Sequence, residues 1–177
     1  SHGSTVETAP AGRRTAVNLH GLEVADIERG QVVARPETMF PTQVWDAHVK
    51  CLSSSPRPLK HRTEVHFHHG SKEMLARLYF MDRDKLAPGE ECICQVRFTE
   101  PVAGVYGDRM VIRSFSPLRT VAGGKLINPI GRKVKRFSED VKRLEELVEG
   151  ESEVLVTTQV AMAGAQGVTF SQLRILA

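Results

Sequence analysis

The 177-residue sequence has few cysteines, no long apolar run and none of the short motifs that mark common catalytic sites. Its three cysteines are odd in number and include no Cys-x-x-Cys pair. That excludes a disulfide framework or a four-ligand zinc site as the basis of the fold, and a reducing cytoplasm is the expected compartment. No stretch approaches the roughly 20 apolar residues that cross a bilayer, so no membrane association is expected. The N-terminus lacks the basic-then-apolar layout of a signal peptide, and Ser1-His2-Gly3-Ser4 reads as a cloning remnant. Val121-Ala122-Gly123-Gly124-Lys125 has the look of a phosphate loop, but no glycine lies five positions before Gly124. Leu126 also stands where a Mg²⁺-binding hydroxyl belongs. Gly-x-Ser-x-Gly and His-Glu-x-x-His are both missing. No catalytic residue, bound metal or cofactor is therefore expected, and nucleotide hydrolysis is not an expected activity of this chain.

Charge is nearly balanced: 24 Lys and Arg against 21 Asp and Glu leave a formal +3. Its distribution is uneven, with basic clusters at Lys60-His61-Arg62 and Arg132-Lys133-Val134-Lys135-Arg136. Such clusters permit an anionic partner such as nucleic acid without requiring one. At 41% hydrophobic and 25% charged residues the composition is that of a globular protein, long enough for one full domain and part of another.

Strand signals come first. Arg14 to Leu22 reads as a strand with Thr15, Val17 and Leu19 on one face. Gln31 to Ala34 reads as a second after the Glu28-Arg29-Gly30 turn. Two strands cannot enclose a core, so this piece is expected to be the end of a larger domain. Pro36 to Pro41 forms a stiff connector. Gln43–Cys51, Glu64–His68, Met74–Phe80, Glu91–Phe98, Asp108–Arg113 and Lys125–Asn128 then alternate or run apolar, separated by turns such as Pro88-Gly89 and Tyr106-Gly107. Regularly spaced short strands without helical periodicity predict a compact antiparallel barrel or sandwich. Trp45, Val49, Val65, Phe67, Leu78, Val96, Phe98 and Ile112 form its expected core.

The period then changes. Ser138 is placed to cap a helix whose apolar stripe is Val141, Leu144, Leu147 and Val148, with Gly150 placed to end it. A second helix is expected from Ser152 to about Gly164, and a third from Thr169, where Gln172 completes a capping box. His66 and His68 share a strand face on which imidazoles bind metals, but the sequence adds no further ligand there, so a solvent- or RNA-facing strand is expected. Cys92 and Cys94 share a face as small buried hydrophobes.

Several runs carry a family resemblance. Ala11-Gly12-Arg13-Arg14-Thr15-Ala16-Val17-Asn18-Leu19-His20-Gly21-Leu22, followed by Asp26-Ile27-Glu28-Arg29-Gly30-Gln31-Val32, is similar to the end of the second domain of translational GTPases. Gly107-Asp108-Arg109, Val111-Ile112-Arg113 and Arg119-Thr120-Val121 with the glycine pair are similar to the closing strands of their third domain. The Arg14–Leu19 run, His66-Phe67-His68-His69-Gly70 and the helical extension resemble the bacterial selenocysteine-specific elongation factors more than elongation factor Tu. Ser114-Phe115-Ser116-Pro117-Leu118 departs from Tu by its length, so the contact preceding Arg119 does not transfer atom for atom.

The resemblance implies a mainly β fold. A closed antiparallel barrel of the third-domain type would occupy residues 42–130. Strands of a truncated second barrel would precede it over 1–37, and a basic linker with helices opening a winged-helix region would follow over 131–177. It further implies a non-catalytic tRNA-binding portion of a factor that delivers selenocysteinyl-tRNA to the ribosome. The whole factor would use GTP and Mg²⁺ and read an mRNA hairpin through its winged helices. Two alternatives stand beside this: the equivalent barrel of a release or rescue factor, and a protein-interaction barrel that binds no RNA. The family places Arg14 in the aminoacyl pocket. Lys60, His61, Arg62, His66, His68, Arg119 and Thr120 are the expected tRNA contacts, the histidines gaining charge below about pH 6.5. The contrary expectation is that these residues point to different faces and the barrel is a spacer.

Overall fold

The computed structural model describes residues 6–177; Ser1–Ser4 lie outside them. Eight strands and three helices follow in order: β1 (Thr42–Cys51), β2 (Leu59–Lys60), β3 (Glu64–His69), β4 (Lys72–Phe80), β5 (Lys85–Leu86), β6 (Glu91–Val102), β7 (Arg109–Arg113), β8 (Thr120–Asn128), α1 (Glu139–Glu149), α2 (Ser152–Ala163) and α3 (Phe170–Leu176). Six strands close an antiparallel barrel in the order β1-β6-β4-β3-β7-β8, while β2 and β5 form a separate two-stranded ribbon. Closure leaves the barrel no open strand edge.

Alternation sorts the side chains. Trp45, Val49, Val65, Phe67, Leu78, Val96, Phe98 and Ile112 all lie in the barrel core, with Cys51, Cys92 and Cys94 among them. Trp45 sits at its centre, edge-on to Phe98 at 5.0 Å and to Phe67 at 6.1 Å between ring centroids. All three cysteines are free thiols. Burial pushes Cys92 up to about 12 and Cys94 well above the ordinary thiol range, so both behave as small apolar groups.

Strand β8 begins at Thr120, five residues before the expected Lys125, because the glycine pair lies inside the strand. A Cβ on Gly124 would sit 2.3 Å from the His48 carbonyl oxygen on β1. The glycine therefore marks a close approach of two backbones at the closing seam.

The expected N-terminal strands are absent. Between residues 14 and 34 the chain forms turns, extended coil and one 3₁₀ turn, Val24–Asp26. The supposed inner face is covered only in part: Thr15 and Leu19 are half-buried, and Val17 is 68% exposed. A strand needs a partner for its N–H and C=O groups, and a closed barrel has none to offer. The Glu28–Gln31 turn does form, and Gly30 meets the barrel at Lys72, where a Cβ would fall 2.4 Å from the lysine Cβ.

The helices pack on the outside of the barrel. Val141, Leu144, Leu147 and Leu155 bury against Met81, Ile93 and Ile127, which the strand alternation turns away from the inner core. Helix α1 has no basic residue in its last turn. Lys125 of β8 supplies the cation instead, its Nζ donating to the Val148 carbonyl at 3.2 Å and to Tyr106 Oη at 2.8 Å. The helix limits match expectation, but two of the signals act differently. Ser138 Oγ donates back to the Lys135 carbonyl rather than capping α1. Gly150 has φ −64°, and is required because a Cβ would approach the Glu146 carbonyl at 2.7 Å. The Thr169–Gln172 capping box forms as expected.

A polar knot fastens the barrel wall to the linker. Asp46 is fully buried and accepts from Gln95 Nε2 at 2.7 Å and Asn128 Nδ2 at 2.8 Å. Gln95 also donates to the Arg132 carbonyl at 2.6 Å, and its Oε1 accepts from Arg97 Nη2 at 3.0 Å. Burial raises the Asp46 carboxyl to about 6, against the lowering by both amides and Arg97. The folded protein thus holds a proton that the unfolded chain releases near pH 4. The contribution of Asp46 to stability therefore falls as pH rises from about 4 to about 6, by about 3 kcal/mol, and then levels.

Two outcomes follow. Denaturant unfolding at several pH values should show that limb in the parent and a flatter profile in Asp46→Asn. The variant should also lose about 1–3 kcal/mol at pH 7, where asparagine offers one acceptor to two amide donors. Gly124→Ala should cost about 3 kcal/mol or more in the same assay, because backbone at the seam must move to admit the methyl group.

Candidate nucleic-acid interface

The helices pack chiefly on part of the outside of β6 and β8, at Ile93 and Ile127. This leaves largely open a face made by the outward positions of β4, β3 and β7, with Arg97 of β6 and Thr120 of β8. The register aligns its side chains in rows. Arg97, Arg77 and Glu64 stand opposite one another across β6, β4 and β3, and Leu75, His66, Arg113 and Thr120 run from β4 to β8. Glu64 pairs with Arg77 at 3.5 Å and Glu73 with His66 Nδ1 at 3.0 Å. Among the described residues, no carboxylate pairs with Arg62, Arg97, Arg113 or Arg119. The Nε atoms of Arg97 and Arg113 are buried without a protein partner. The face is therefore arginine-rich and under-neutralised.

One cluster on it surrounds Tyr79. The Arg97 guanidinium lies 3.8 Å from the ring centroid, Arg62 lies 5.9 Å away, and His61 meets the ring edge-on at 5.5 Å. Stacking on an aromatic holds a guanidinium in place while leaving its N–H groups available. Arg62 reaches this position from a turn with φ +65°, its N–H held by the Leu78 carbonyl at 2.7 Å.

The expected contact residues therefore converge in part. His61 and Arg62 gather at Tyr79, while His66, His68 and Thr120 lie on the β3–β7–β8 portion of the same face. Arg119 sits beside Thr120 at the base of the β7–β8 hairpin, and Lys60 stands exposed on the ribbon opposite Lys85. His61 does not fit the expectation of ready protonation. Burial, with Arg136 and Arg62 nearby, pushes its imidazole below the ordinary range. The His66–His68 face gathers no metal set; no group of three or more suitable ligands occurs among the described residues. Arg14 is exposed on coil.

Arg77, Tyr79, Arg97 and Arg113 escaped the sequence reading. Their only signal is parity, since each alternates with core positions on its strand, and isolated arginines on three strands form no cluster in one dimension. The second basic cluster is, by contrast, partly structural. Arg136 donates to the Phe80 carbonyl at 2.9 Å, the Arg83 carbonyl at 2.6 Å and Asp84 at 2.8 Å. Arg132 donates to the Met162 carbonyl and, at 3.0 Å, to Gln166.

No helix among the described residues is long and apolar enough to cross a membrane. Residues 46–133, nearly coincident with the barrel, match the family model described as the selenocysteine-specific elongation factor, beta-barrel domain. The chain is 61% identical over 175 residues to the selenocysteine-specific elongation factor of Desulfomicrobium baculatum, an alignment covering 99% of the chain and 28% of that relative. It is 23% identical over 122 residues to the selenocysteine-specific elongation factor of Haemophilus influenzae, covering 68% of the chain and 19% of that protein. It thus spans little more than a quarter of the length of the first of these relatives. With the matched barrel present as a closed six-stranded fold, the chain belongs to the family of the selenocysteine-specific elongation factors.

Proposed function

We propose that this chain is the non-catalytic, tRNA-binding portion of a factor that delivers selenocysteinyl-tRNA to the ribosome in a GTP-dependent manner in the cytoplasm. The observation that supports it is the open β4–β3–β7 face, where arginines without carboxylate partners surround an aromatic ring. Structured RNA presents phosphates and 2′-hydroxyls, and stacked guanidinium groups and exposed lysines suit them. Residues 1–37 are the end of the second domain, 42–130 the third, and 131–177 the linker and opening of the winged-helix region. GTP and Mg²⁺ belong to a domain outside this stretch, and the mRNA hairpin to further winged helices.

Arg14 keeps the role that the resemblance assigns it. A permanently charged guanidinium in the aminoacyl pocket favours a selenolate, ionised at neutral pH, over a serine hydroxyl. In the whole factor, Arg14→Ala should reduce the preference for selenocysteinyl- over seryl-tRNA. Equal discrimination by variant and parent in a competition assay would remove Arg14 from the pocket.

The face makes its own forecast. Titration of selenocysteine tRNA against the whole factor should show affinity falling steeply with salt. Lys60→Ala, Arg62→Ala, Arg97→Ala or Arg119→Ala should each lower the log–log slope by somewhat under one unit. Unaltered affinity and slope in all four would make the barrel a spacer.

A further inference from the structure

The β7–β8 hairpin carries a feature that charge does not explain. Phe115 is 55% exposed at its tip, although the loop has no core position to fill. The tip is held in shape: Ser114 N–H donates to the Arg119 carbonyl at 2.8 Å, Arg119 N–H to Ser114 Oγ at 3.3 Å, and Ser114 Oγ to the Pro117 carbonyl. The Phe115 ring lies against His66, with centroids 5.0 Å apart and planes 39° to each other. Glu73 fixes that imidazole through Nδ1 at 3.0 Å. Leu75, opposite His66 on β4, is 42% exposed and extends the apolar floor. Arg113 stands in the same row as His66 and Arg119 closes the loop that carries the ring, and neither has a carboxylate partner among the described residues.

We propose that Phe115 and His66 form a stacking platform for one unpaired nucleobase of the bound RNA, with Arg113 and Arg119 holding the adjoining phosphates. This rests on the RNA-binding reading of the face and gives it a second kind of contact. A base inside a stem has both faces covered by its neighbours, so an exposed aromatic ring of this kind fits a base from a loop, bulge or strand end. A hydrogen-bonded loop presents the ring in a fixed place, which lowers the ordering cost of binding. The flanking cations favour RNA over an apolar protein surface, which would leave both guanidinium groups desolvated and unpaired.

The test is titration of the whole factor with selenocysteine tRNA over a series of salt concentrations. Phe115→Leu keeps apolar bulk and removes the π face. It should bind about tenfold more weakly, with the salt slope of the parent. Phe115→Tyr should restore binding, and thermal melting of both variants should match the parent because the ring is exposed. Parental affinity in Phe115→Leu, alongside weakened Lys60→Ala and Arg119→Ala, overturns the platform and leaves a face that acts by charge alone. A shallower salt slope in Phe115→Leu also overturns it, since the substitution would then be acting through the arginines. Parental affinity and slope in Phe115→Leu, Lys60→Ala and Arg119→Ala together overturn the RNA-binding reading, and the platform with it.

Discussion

Closure of the barrel along the β1–β8 seam is the constraint on which the rest of the molecule depends. Six strands meet only if β8 comes within backbone contact of β1, and Gly124 against the His48 carbonyl is where that contact is tightest. Once closed, the sheet has a dry interior around Trp45 and no edge for further strands. All that follows in the chain must then find its place on the outer surface. The helices take the apolar part of it, at Met81, Ile93 and Ile127. What they leave uncovered is the arginine-rich face, so helix packing divides the barrel's outer surface into a covered part and an open part.

Much of this was legible in the chain itself, and the failures have a common cause. Period-two alternation identified the core strands and eight core side chains, because inward residues in a closed barrel must be apolar whatever their partners. The helices were read from their periodicity and the Thr169–Gln172 box, both local signals. Residues 14–34 have strand-like local sequence and no strand, since pairing depends on a partner edge that local sequence does not reveal. The sequence places the start of β8 only at Lys125, after Gly123-Gly124, because the carbonyl that demands a glycine lies 76 positions away, at His48. Arginines 77, 97 and 113 come together only through register.

The two basic clusters separate along similar lines. Both are short runs of cations, indistinguishable by composition. Arg62 ends on a turn beside Tyr79 with its guanidinium free of carboxylates among the described residues, whereas Arg136 spends its donors on barrel carbonyls and Asp84. A guanidinium committed to backbone acceptors organises the fold, and one stacked on a ring retains donors for something else. Local charge density thus does not separate an arginine that organises the fold from one with unspent hydrogen-bonding capacity.

The linker clamp has a mechanical consequence. Residues 131–137 are fastened to the barrel by Gln95 at one end and Arg136 at the other, and the helices are braced again by Tyr106 and Lys125. A connector tied at so many points does not swivel; it behaves as a bracket rather than a leash. A leash reports only that its two ends are near each other. A bracket conveys angle, so a twist applied at the helices arrives at the open strand face as a rotation of that face.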